Sequence, residues 1–162
     1  MTSRRRFLQT GLAGSLLLGV AGCGGPTGQA DGRRAVVAAL VPVILDGALP
    51  AAGDARAKAV AATVDGVDQA IAGLAPATQE EIGQLFDLLA FAPTRILVAG
   101  VWPAWDIALP GEIAAFLDAW RNSRFDLLRS GYAGLHDLIL GAWYARAESW
   151  PLIGYPGPPT LK

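Results

Sequence analysis

Arg124-Phe-Asp-Leu-Leu-Arg-Ser-Gly-Tyr-Ala-Gly-Leu-His-Asp-Leu-Ile-Leu-Gly-Ala-Trp-Tyr-Ala-Arg-Ala147 places Leu128, Tyr132, Leu135, Ile139 and Trp143 at steps of four and three. That period puts all five side chains on one side of an α-helix. Gly131 and Gly134 lie on the same segment, where they would let a neighbouring backbone approach closely. The same arithmetic recurs upstream. Val60, Val64, Val67, Ile71 and Leu74 form a narrow seam for one partner helix, with Gly66 weakening it by about 1 kcal/mol relative to Ala. Val36, Val37, Leu40, Val41, Ile44 and Leu45 form a broader stripe, which Pro42 is expected to kink or split. Ile82, Leu85, Phe86 and Leu89 point one way while Glu80, Gln84 and Asp87 point the other. Ile113, Phe116, Leu117 and Trp120 follow Pro110, which suits a first helical turn. No segment alternates with period two, and no repeat of 20 to 50 residues is found. The expectation is an all-α domain, a small irregular helical bundle.

Local signals mark the joints. Asp54 is a candidate N-cap after the turn at Leu49-Pro50. Thr78-Gln79-Glu80-Glu81 has capping-box spacing and is expected to open the third helix, which Pro93 ends. Between 93 and 110 the pattern loosens into a short apolar turn through Ile96, Leu97 and Val98, followed by Trp102 and Trp105. At the other end, Trp150-Pro-Leu-Ile-Gly-Tyr-Pro-Gly-Pro-Pro159 carries four prolines and two glycines in ten residues. It is expected to be an extended or turning tail over residues 148–162.

The N-terminus reads as an address. Arg4-Arg5, followed by Phe7 and Leu8 and an apolar run to Ala21, resembles a twin-arginine export signal, a route for already folded cargo. The run is too short and glycine-rich to span a bilayer, which takes about 20 apolar residues, so residues 1–22 are set aside from the fold. Val20-Ala-Gly-Cys23 resembles a lipobox, with Cys23 the acylated residue. Residues 23–32 then form a flexible tether, 33–147 a helical domain and 148–162 the tail.

Removal of 22 residues from the 162 leaves 140, enough for one compact domain. The removed part holds three arginines and no acids, so ten basic residues face 14 acidic ones and the formal charge is −4. Without a basic stripe, nucleic acid is not an expected partner, and contact with a membrane falls to the lipid on Cys23. As Cys23 is the single cysteine, no internal disulfide can form.

Little in the inventory supports catalysis. The one histidine, His136, sits beside Asp137, and adjacent helical positions point about 100° apart. Metal sites need several converging ligands, and neither a Cys-x-x-Cys-His nor a Gly-x-Gly-x-x-Gly context is present. Asp65, Asp68, Glu80 and Glu81 read as solvated faces, and Ser130 and Ser149 have no base close in sequence. No catalytic, cofactor-binding or metal residue is therefore assigned. All five tryptophans and all three tyrosines fall between 102 and 155. Clustered aromatics in irregular segments suit the anchoring core of a protein interface; on helix faces, as at Trp120 and Trp143, they equally suit the domain's own core.

Together, the twin-arginine signal, the Ala-rich helical domain and the residues Trp150, Ile153, Gly154, Tyr155, Pro156 and Gly157 resemble one family, the small (gamma, subunit 3) component of gluconate-2-dehydrogenase-type complexes. Ala48-Leu-Pro50 adds weaker support, and the lipobox is a departure from the family. The resemblance implies a non-catalytic partner of a large FAD-dependent oxidoreductase of the glucose–methanol–choline type, with no cofactor in this chain. It implies that the small subunit engages the twin-arginine translocase, docks through Trp150, Ile153, Gly154, Tyr155 and Pro156, and carries the folded flavoprotein to the periplasm. The alternative is a stand-alone envelope lipoprotein with a structural or ligand-binding role.

Overall fold

The computed structural model describes residues 26–158, and within them every regular element is helical. Helix α1 is Pro26–Ile44, α2 Asp54–Ala72, α3 Pro76–Ala90, α4 Pro110–Arg121 and α5 Asp126–Tyr144. Between α3 and α4 lie a single helical turn, Ala92–Thr94, and a π-helix, Arg95–Ala99. A 3₁₀-helix, Ala147–Ile153, follows α5. The core lies in the unit that begins at Gly32, and the described residues before it, 26–31, fall outside that unit. The all-α fold expected from the apolar periods is the fold observed.

Helix α5 is the organising element, packed mainly on α2 and α4. Its stripe behaves as the spacing requires: Leu135, Ile139 and Trp143 are buried, while Leu128 and Tyr132 pack partly buried against the core. Val64, Val67 and Ile71 bury the facing side of α2. Gly66 is where the two helices come closest. A Cβ there would stand 3.3 Å from Ala142 Cβ and 3.4 Å from its carbonyl oxygen. The glycine thus weakens its helix locally but admits α5, which sequence spacing alone could not reveal. Gly131 admits a ring instead, since its Cβ would lie 2.7 Å from Cζ3 of Trp120. Gly134 has nothing within 4 Å and mediates no close approach.

Several expected boundaries move, each for a physical reason. Pro42 does not split α1, because it falls in the last turn of a helix that runs on to Ile44. Asp54 is the first residue inside α2 and Gly53 the N-cap, so Asp54 acts as an acid beside the helix's positive end. Helix α3 begins at Pro76 rather than Thr78, since proline at the first position gives up an N–H that has no helical partner. Half of a capping box does occur at α4, where the Glu112 carboxylate accepts from the Leu109 backbone N–H at 2.9 Å, while Leu109 has no side-chain oxygen to return the bond.

The tether is also corrected. Helix α1 starts at Pro26, so residues 26–32 are helical, and a Cβ at Gly32 would meet Ala90 Cβ at 2.9 Å. Likewise the tail is not extended from its start. Residues 147–153 form the 3₁₀-helix with Pro151 inside it, and Gly154, at φ 68°, ends it in the left-handed region. The proline removes the one i→i+3 bond that residue 151 would donate, which leaves the helix a short one. Asp65 and Asp68 are not merely solvated. Asp68 accepts from Arg33 Nε at 2.9 Å and from Arg34, and Asp65 accepts from Arg34 Nη2 at 2.7 Å, tying α1 to α2. Hydrogen bonding to Asp65 and then Asp68 raises the Arg34 guanidinium above its ordinary range.

Candidate functional site

The connection from Arg95 to Leu109 contains only one short regular element, yet it is held firmly. Trp120 Nε1 donates to the Val98 carbonyl at 3.0 Å, and Trp105 Nε1 donates to the Leu89 carbonyl at 2.8 Å. Buried Arg95 donates from Nε to the Val101 carbonyl at 3.2 Å and from Nη2 to the Trp102 carbonyl at 3.3 Å. Gly100, at φ 70°, supplies the left-handed residue that reverses the chain after the π-helix. Underneath runs an aromatic column: Trp105 meets Phe116 edge-on at 5.8 Å, and Phe116 meets Trp120 at 4.9 Å. Such edge-to-face pairs add about 1 kcal/mol each beyond area burial.

This frame holds apolar side chains out to solvent. Leu97 is 83% exposed, Trp102 75%, Ile107 68% and Leu109 65%. Four large apolar groups within thirteen residues, on backbone already fixed by side-chain bonds, resemble the pre-ordered anchors of a binding surface. The tryptophans therefore divide. Trp105, Trp120 and Trp143 are core residues, whereas Trp102 stands outside. Sequence spacing could not separate Trp102 from Trp105, because the stretch has no helical period to assign them faces.

The tail residues singled out from the sequence come together as a hook on the end of α5. Trp150 is half-buried: its Nε1 donates to the Tyr144 carbonyl at 3.0 Å and its ring meets Tyr155 edge-on at 5.4 Å. Tyr155 N–H returns to the Trp150 carbonyl at 3.0 Å, and Gly157, at φ 99°, lies against the Trp150 ring. Ile153, Gly154, Tyr155 and Pro156 are exposed on this hook. Trp150 thus serves the hook's own structure, and Ile153 and Tyr155 are the side chains it offers.

Two stretches about a hundred residues apart in sequence meet in space. Ala48, Leu49 and Pro50 line one cleft with Trp143, Arg146 and Pro151, a space of about 580 Å³. Buried Ser149 forms part of the hook's base, its hydroxyl donating to the Arg146 carbonyl at 2.7 Å. His136 stacks on Tyr132 at 5.5 Å, and its Nδ1 is 3.5 Å from Asp137. No group of three or more His, Cys, Asp or Glu that could hold a metal occurs among the described residues. No single helix among them is long and apolar enough to cross a membrane. Arg4, Arg5, Phe7, Leu8 and Cys23 lie outside the described residues. Comparison of the chain with protein-family models, with curated proteins and with solved structures yields no match.

Proposed function

We propose that this chain is a non-catalytic accessory subunit that docks on a large, folded FAD-dependent sugar or alcohol dehydrogenase, escorts it through the twin-arginine route and tethers it by the lipid on Cys23. The observation that carries the docking role is the Leu97–Leu109 surface, where Trp102 is 75% exposed on backbone pinned by Arg95, Trp105 and Trp120. An anchor that is rigid before binding loses little entropy on association, which favours a specific partner. The exposed Ile153 and Tyr155 of the hook supply a second contact, in the segment that resembles the dehydrogenase small subunits. The escort role follows from the pairing of Arg4-Arg5 with a flavin that is loaded as its protein folds. A partner so loaded must be exported folded.

The test is a pull-down of the tagged full chain from its native host. A yellow, flavin-containing companion that co-purifies with wild type, and is lost with Trp102→Asp, supports the reading. A colourless preparation without companion under gentle extraction overturns it. Deletion of residues 1–22 should strand the companion's dehydrogenase activity in the cytoplasm, and a companion that still reaches the periplasm refutes the escort role.

A further inference from the structure

The cleft between Ala48-Leu-Pro50 and the hook has features that docking through Trp102 does not use. Its volume of about 580 Å³ lies within the range of small-molecule sites. Its lining is mostly apolar, through Leu49, Ala59, Ala62 and Trp143, with Lys58, Arg146 and Glu148 as the charged groups. Trp143 is 3% exposed, yet its Nε1 has no acceptor, and Arg146 Nη1 is buried without one as well. Buried donors left unpaired are costly and uncommon. Here two of them belong to neighbouring lining residues, with the Arg146 guanidinium 6.0 Å from the centre of the Trp143 ring.

We propose that this cleft binds a small amphiphile with an apolar body and one carboxylate. The apolar body lies against Leu49, Ala59, Ala62 and Trp143. The carboxylate pairs with Lys58 and with the Arg146 edge that now faces Glu148. Two basic side chains against one acidic one leave the lining with a net positive charge, which selects an anion over a neutral or cationic head. Both orphan N–H groups are sealed from solvent, so the groups of the wall within the ligand's reach are Lys58 and the Arg146 edge beside Glu148. The loosest part is the Arg146–Glu148 contact, 3.5 Å long and exposed on the Glu148 side. Glu148 is thus a resident carboxylate that the ligand replaces.

Decanoate titrated into the purified full chain, read by calorimetry and tryptophan fluorescence, is the test. Saturable binding at one site is expected. Decan-1-ol should bind at least tenfold more weakly. Lys58→Ala, at an exposed position that leaves the fold intact, should weaken decanoate three- to tenfold. Ala62→Leu should fill the cleft and abolish binding while circular dichroism stays unchanged. Glu148→Gln should tighten binding severalfold, a response that a merely structural role would not give. Equal affinity for decanoate and decan-1-ol, absence of saturable binding, or binding indifferent to Lys58→Ala and Glu148→Gln would each overturn the proposal. Because no partner is present, these outcomes are independent of the docking role.

Discussion

The indole N–H of Trp120, on α4, is bonded to the main-chain carbonyl of Val98 at 3.0 Å, while the same ring rests where Gly131 of α5 has no side chain. One residue therefore locks the helix pair and the exposed connection together. Gly131→Ala should expose this linkage. Its Cβ would lie 2.7 Å from Trp120 Cζ3, so the ring must shift and the Val98 bond must lengthen. Alanine gains about 1 kcal/mol in helix propensity, but overpacking of this kind costs about 1–3 kcal/mol. A net loss of about 1 kcal/mol in urea unfolding is expected, with faster amide exchange at residues 98–102.

Trp102→Ala and Trp105→Ala form a contrasting pair. Trp102 is exposed, so its truncation should leave the unfolding midpoint unchanged and weaken partner binding by about 2 kcal/mol. Trp105 is 5% exposed and bonded to Leu89, so its loss should cost about 3–5 kcal/mol of stability. Thermal unfolding beside surface plasmon resonance with the companion protein separates the two.

Asp68 serves two arginines, Arg33 and Arg34, across the α1–α2 contact. Asp68→Asn keeps the shape but removes the charge, and should cost about 1 kcal/mol, the range of a partly exposed pair with two donors. Asp65→Asn, which touches only the more exposed Arg34, should cost less. A double-mutant cycle of Asp68→Asn with Arg34→Met, measured by denaturant unfolding, reads the coupling directly.

Glu148 is held below its ordinary value of 4.5 by its own backbone N–H and then by Arg146. A depressed folded value means that its contribution is present above pH 4.5 and is lost as the pH falls through the lower folded value. Because the Glu148 side chain is largely exposed, the effect on global stability is small, and the sensitive readout is local. A carboxyl-resonance titration should give a midpoint below 4.5, and Arg146→Met should move it back up.

The helices were legible because their apolar residues recur at three and four, and no tertiary detail is needed to see that Leu135, Ile139 and Trp143 share a face. Starts and stops were less legible where proline was read only as a breaker. Pro76 opens α3, where a missing N–H has no helical partner to lose, whereas Pro42 lies two residues before the end of α1 and Pro151 within a 3₁₀-helix, so each forfeits one ladder bond without dividing its helix. The concentration of aromatics between residues 102 and 155 was legible at once. Which rings stay outside depended on indole-to-carbonyl bonds that join residues 16 and 22 positions apart, and these have no local signature. The cleft was equally hidden, since its walls come from the turn after α1, from α2, and from the end of α5 with the hook.

Three indoles in this chain, those of Trp105, Trp120 and Trp150, each donate to a peptide oxygen, of Leu89, Val98 and Tyr144 respectively. A peptide oxygen is present whatever amino acid occupies the position. Val98 and Tyr144, each over a third exposed, can consequently change identity without loosening the scaffold. At those two sites the skeleton is thereby made insensitive to which side chain the position carries.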